Sequence, residues 1–279
     1  MHYGIKGLIY LFFISYFFTI TSCLDNSINV PTADDFTKQK REELGDFLKE
    51  TIEIAVDEFP PLNAQSKGDA ELINYLQTLY DQATHEIRQD RQSNIADRWN
   101  INRKWRVVVL NDQNRYAFSV PGGHFFVSTG FLGALSKGYE IYYVMAFEAI
   151  NISGRYLIDN LIAQYNTATL FELIASQDTS ANPSSLDIVQ LLQNDLAFED
   201  DIIREIDKDT GTLICETSIF DRFGIQSILE ILNSNEQYRD TRPSYANRVQ
   251  YISELNIDGC GDIRSTGLYE RMVLDNLPR

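Results

Sequence analysis

The chain has 279 residues, 44% hydrophobic, 12% aromatic and 23% charged, a composition that builds a packed core and excludes a disordered polymer. Its 40 acidic against 24 basic side chains give a formal net charge of −16, which repels phosphate backbones and anionic membrane surfaces. Nucleic acid is thereby excluded as a partner, and a single globular domain is expected.

Residues 1–22 differ sharply from the rest. Lys6 supplies a positive start, and residues 7–22 form an apolar run rich in Phe, Tyr and Ile, the layout of an export signal. The run is short for a bilayer-spanning helix, which takes roughly 20 residues. It stops at Ile20, Thr21, Ser22 and Cys23, followed by polar Asp25, Asn26 and Ser27. That ending resembles a bacterial lipobox, which implies lipidation of Cys23 as the mature N-terminus; an uncleaved anchor or an ordinary signal peptide cut nearby are the alternatives. The chain then divides into a signal peptide at 1–22, a tether at 23–31 and one domain at 32–279. The expected location is the bacterial cell envelope, on its periplasmic side or surface, with dual acylation as the membrane tether. Two further cysteines, Cys215 and Cys260, form a disulfide or remain free thiols.

A helical pattern opens at Pro31 and Thr32, with Thr32 as cap, and runs to Phe59, where Pro60 and Pro61 end it. A second helix spans residues 69–89, with Leu72, Leu76, Leu79 and Ala83 on one face. His85 and Glu86 lie in it, but a second ligand one turn on would be residue 89, a Gln, so His85 reads as a surface histidine. From Trp105 the period changes to that of strands: residues 107–110, 116–120 and 124–128, joined by a turn at 111–114 and by Pro121, Gly122 and Gly123. The short connections imply antiparallel neighbours. Residues 138–165 are apolar on every face, so this helix is expected at the domain centre. Residues 177–185 read as a loop, and helices resume near Leu186, Glu199, Gly224 and Ser244.

Four blocks, taken in order, resemble a known family. YAFSVPGG at residues 116–123, with Phe126, Val127 and then Thr129 to Leu132, is similar to N-A-F-x-x-P-G-G-x-I-x-V-x-x-G-L-L. EIYYVMAFEAIN at 140–151, followed by Arg155, aligns without a gap on E-L-A-x-V-L-A-H-E-x-x-H. Residues 198–207 resemble an aromatic-S-R-x-x-E-x-E-A-D helix. DTRPS at 240–244, with Arg248 and Val249, is similar to S-T-H-P-S and the R-I after it. These are motifs of the zinc metallopeptidases related to HtpX, BepA and the CAAX prenyl proteases, and they cover about residues 105–252, roughly half the chain. The resemblance implies an α+β fold, a mainly helical metallopeptidase-like (zincin) domain with a small antiparallel three-stranded sheet.

The resemblance also marks a loss. Two histidines one turn apart and a carboxylate hold the family's zinc, and the glutamate between the histidines acts as general base on the bound water. Here the ligand positions are Phe147, Asn151 and, in the ungapped register, Ile203; a two-residue slip would make Glu205 the ligand and Asp209 its companion. Phe147 has no lone pair and Asn151 only an amide oxygen, a poor match for zinc. Glu148 is retained as a vestige, and no catalytic residue, metal or cofactor is expected.

Glu205, Asp207 and Arg242 line the expected pocket, where Arg242 either holds Glu148 bidentately or stays solvated. His124, Phe125, Phe126, Val127 and Ser128 form the expected edge strand of a groove that takes an extended peptide by strand addition. The function expected is that of a noncatalytic lipoprotein binding a protein segment or partner in the former substrate groove. The alternatives are a metal-dependent peptidase with a nonstandard site, using Glu205, Asp207 or His124, and a scaffold with no groove function.

Overall fold

A computed structural model describes residues 32–64, 66–89, 105–176, 183–216, 223–234, 245–253 and 267–278. The chain divides into two compact units between Asp35 and Phe36. The described part of the first is a 3-10 turn, Ala33–Asp35, where the Asp35 carboxylate accepts from the Thr32 N–H at 2.7 Å and its hydroxyl at 3.0 Å. Thr32 is therefore not the cap of a long helix. That role falls to Thr37, whose side chain accepts from the Lys40 N–H at 3.3 Å.

Helix α1 (Lys38–Ile54) follows, burying Leu44, Phe47, Leu48, Thr51 and Ile52, the three-and-four spacing of one helix face. Helix α2 (Lys67–Gln89) buries Leu72, Leu76, Leu79, Tyr80 and Ala83, and leaves His85 exposed. Three strands come next, β1 (Arg106–Leu110), β2 (Ala117–Val120) and β3 (His124–Ser128).

The sheet order is β1-β3-β2, with β3 parallel to β1 and antiparallel to β2. The sheet is thus mixed, which corrects the all-antiparallel expectation. Residues 111–116 do reverse the chain, but they carry it two strand spacings across, and β3 fills the gap. The β2–β3 hairpin turns through Gly122 and Gly123 at φ +84 and +95°, a conformation that residues with a Cβ rarely adopt. The outer edge of β1 is closed. Gln77 of α2 donates to the Trp105 carbonyl and accepts from the Val107 N–H, both at 3.0 Å. Further along, Leu62 N–H donates to Val109 O at 2.8 Å and Asn111 N–H to Pro60 O at 2.7 Å.

After the short helix α3 (Thr129–Ala134) comes α4 (Gly138–Ser153), buried along nearly its whole length. It packs against α2, against α8 (Asp200–Glu216) and against α9 (Phe223–Asn233), as an all-round apolar helix must. It stops twelve residues before the expected end at Tyr165. The break falls at Gly154, where an added Cβ would sit 2.3 Å from the Tyr156 ring, and at Arg155, whose φ is +70°. The apolar pattern then continues into α5 (Tyr156–Tyr165) and α6 (Thr167–Ser176).

Of the expected loop at 177–185, residues 177–182 lie outside the described residues, and Pro183 already opens α7 (Pro183–Gln190). A π-helical turn, Leu191–Asp195, packs against β2. Helices α10 (Tyr245–Ser253) and α11 (Leu268–Met272) complete the described elements, with α10 against α8 and α9. No helix among the described residues is long and apolar enough to cross a membrane.

Candidate functional site

Helix α4 is anchored at its start by Glu140, whose carboxylate accepts from the N–H groups of Ser136 at 2.6 Å and Lys137 at 3.0 Å. It also accepts from the Ser227 hydroxyl of α9 at 2.7 Å. From that fixed start, Tyr143, Phe147 and Asn151 follow at four-residue intervals and share one face.

The Tyr143 hydroxyl donates to Asp207 Oδ1 of α8 at 2.7 Å. Arg248 of α10 grips the same carboxylate with two hydrogen bonds, Nε to Oδ2 at 2.9 Å and Nη2 to Oδ1 at 2.6 Å, and Nη2 lies 3.2 Å from the Tyr143 oxygen. Asp207 is 0% and Arg248 5% exposed, so this is a buried ion pair with its polar atoms matched, the arrangement that offsets desolvation best. Burial pushes the Tyr143 hydroxyl well above the ordinary phenol range and the Asp207 charge adds to this, while Arg248 opposes it. Burial by itself would lower Arg248, but Asp207 and Tyr143 outweigh it and hold the guanidinium charged. The guanidinium also lies over the Phe147 ring, 5.3 Å from its centroid, within cation–π range.

Three of the four sequence blocks thus meet at one point: Tyr143 and Phe147 from the second, Asp207 from the third, Arg248 from the fourth. Ile203, one turn before Asp207, is fully buried, whereas Glu205 is exposed. Glu205 is therefore not a pocket residue, which corrects that expectation. It lies two residues from Asp207, on the opposite side of the helix, and the slipped register that made it a ligand loses its basis. The donor set at Phe147, Asn151 and Ile203 amounts to a single amide oxygen and does not fit zinc. Among the described residues no group of three His, Cys, Asp or Glu side chains is placed to hold a metal ion.

The expected groove strand is also corrected. His124, Phe125, Phe126, Val127 and Ser128 form the central strand, paired on both sides and buried throughout, so no peptide can add to it. His124 Nε2 lies 3.3 Å from Asp46 Oδ1 of α1. The Ser128 hydroxyl donates to Asn114 O at 2.5 Å and accepts from the Phe131 N–H at 3.0 Å, capping α3. Glu148 is buried on α4. Arg242, Cys23 and Cys260 lie outside the described residues, and Cys215 falls in the last turn of α8.

Sequence reasoning missed Tyr143 and gave Arg248 no role. One signal was present: Tyr143 is one turn from Phe147 and Asp207 one turn from Ile203, so an acid that shares the ligand face requires a cation. No protein-family model matches the chain, and no curated protein matches it.

Proposed function

We propose that this chain is a noncatalytic, metallopeptidase-like lipoprotein, related in architecture to the HtpX, BepA and CAAX prenyl protease group. In this reading it is held in the cell envelope by a lipid on Cys23 and binds a protein segment or partner there. One observation carries the reading. The Tyr143–Asp207–Arg248 cluster fixes a guanidinium against Phe147, the first ligand position of the resemblance. A permanent positive charge thus stands beside the place where the family keeps a metal, and it neutralises the acid next to it.

Zinc supplies the lowered water pKa in such enzymes. Without imidazoles at 147 and 151, Glu148 has no metal-bound water to act on. A packed, charge-matched frame around an inert centre serves binding, which asks for a rigid surface and no hydroxide. Strand addition at β3 is not part of the proposal, because both edges of that strand are taken.

The test is elemental analysis of the mature protein purified without chelators, read beside a casein cleavage assay. Zinc well below one equivalent and no cleavage are expected. Stoichiometric zinc with cleavage that disappears in Glu148→Gln would overturn the proposal in favour of a peptidase with a nonstandard site.

A further inference from the structure

Among the described residues three large hydrophobic side chains are exposed, and two of them, Ile54 at 47% and Val56 at 49%, stand two positions apart where α1 ends. A lone exposed aliphatic residue is ordinary, whereas a pair held on a fixed turn makes a surface. Backbone hydrogen bonds fix this turn. The Ala55 N–H donates to Thr51 O at 3.1 Å and the Val56 N–H to Ile54 O at 2.9 Å, while the Glu58 and Phe59 N–H groups both donate to Ala55 O, at 3.0 and 2.8 Å. Phe59, 2% exposed, roots the turn in the core. The backbone that displays the pair is thus ordered before any partner arrives, which lowers the entropy lost on binding.

Acids flank the pair. Glu50, Glu53, Asp57 and Glu58 are all exposed, and Glu50 lies one helical turn before Ile54, a neighbour on the helix surface. The one base between residues 42 and 66 is Lys49, which is 2.6 Å from Glu53. This placement runs against the helix itself. Helix α1 has no acid in its first turn and no base in its last. Lys38, Lys40 and Arg41 occupy the positive end of its dipole, with Glu53, Asp57 and Glu58 at the negative end, the reverse of the stabilising arrangement. Its pairs Lys38–Glu42 and Lys49–Glu53 also set Lys before Glu, the less favourable order. Helix stability therefore does not account for acids at this end. An apolar centre with an acidic rim is complementary to a segment with the same layout and the opposite charge.

We infer that the end of α1, with Ile54 and Val56 at its centre and Glu50, Glu53 and Asp57 beside them, docks a basic amphipathic protein segment whose aliphatic side chains are flanked by lysine or arginine. The inference rests on the binding reading above and gives it a surface and a partner chemistry.

The test titrates the full-length protein in nonionic detergent with a fluorescent decapeptide of two central leucines, four flanking lysines and serines elsewhere, read by anisotropy. Two comparison peptides carry glutamine for lysine, or serine for leucine, and each is expected to bind at least about 10-fold more weakly. Ile54→Ser with Val56→Ser should weaken the lysine peptide about 10-fold or more, because half-exposed aliphatic side chains still have roughly half of their burial free energy to gain. The fold should stay intact in that variant, with a thermal midpoint within about 2 °C of the parent's, as for exposed positions generally. Glu50→Gln, Glu53→Gln and Asp57→Asn together should weaken binding about 5–10-fold, as for three rim charges, and make it less sensitive to salt. The matched control Asp200→Asn, Asp201→Asn and Glu205→Gln removes the same net charge from exposed positions of α8 and should change binding by no more than about 2-fold.

No binding of the lysine peptide, equal binding of either comparison peptide, full binding by the Ile54 and Val56 variant, or an α8 control that weakens binding as much as the α1 acids do would each overturn the surface. None of these outcomes involves zinc or cleavage, so the surface and the noncatalytic reading fail separately.

Discussion

Arg248 and Asp207 form a bidentate pair, Nε to Oδ2 at 2.9 Å and Nη2 to Oδ1 at 2.6 Å, that joins α10 to α8 beneath the face of α4 carrying Phe147. Removing one partner leaves a buried charge without compensation. Arg248→Met is therefore expected to cost about 3–5 kcal/mol of unfolding free energy, measured by urea denaturation followed by circular dichroism. Asp207→Leu added to it should recover a large part of that loss, since the pair then becomes apolar. An unchanged midpoint in Arg248→Met would mean that the pair holds nothing together.

The assignment of Phe147, Asn151 and Ile203 as former ligand positions is tested by restoring the donors. The triple variant Phe147→His, Asn151→His and Ile203→Glu places two imidazoles one turn apart with a carboxylate from the facing helix, a zinc donor set. One equivalent of zinc by mass spectrometry, and a thermal midpoint that rises when zinc is added, are the expected results. A folded triple variant that takes up no zinc would refute the alignment of the second and third blocks.

Gln77 closes the edge of β1 with two hydrogen bonds to backbone, so Gln77→Leu strips partners from the Trp105 carbonyl and the Val107 N–H together. The expected cost is about 1–3 kcal/mol. Hydrogen exchange at the Val107 amide should accelerate more than at Phe126, which lies inside the sheet. Equal change at both amides would argue for general loosening instead.

Alkaline titration should expose the buried phenols. Tyr80, Tyr143 and Tyr269 have hydroxyls pushed well up, chiefly by burial. The folded state therefore holds protons that the unfolded chain releases at an ordinary phenol value near 10. Stability from these groups is fully present below that value and falls as pH rises beyond it. Tyrosinate absorbance should accordingly show a gradual component from exposed rings, then a steep one coincident with loss of helical signal. A single smooth titration with the fold intact would contradict the burial of these three rings.

Much of this arrangement was legible in the sequence, in proportion to how local its causes are. The all-round apolar pattern of α4 foretold its central position, and the strand boundaries followed from β-branched runs and the Pro-Gly-Gly turn. The break at Gly154 was hidden because apolar residues continue to Tyr165, so periodicity alone shows no end. Strand order was hidden for another reason: a short connection dictates direction, but not whether a later strand slips between the two it joins. The exposure of Glu205 was readable, since Ile203, Ile206, Asp207 and Thr210 already occupy one 3.6-period face. The Tyr143–Asp207–Arg248 contact was not, because it is made by side chains from three helices whose relative placement is set by packing.

Tyr143 and Asp207 are 64 residues apart, and Arg248 follows 41 residues after Asp207. A polypeptide made from its N-terminus therefore completes α4 and α8 before the cation that belongs between them exists. Until α10 arrives, Asp207 has the Tyr143 hydroxyl but not the guanidinium, so closing the seam between those two helices would bury a charge without its counter-charge. Any chain cut short before Arg248 carries this unsatisfied acid as a mark of incompleteness, open to whatever proteolysis polices its compartment.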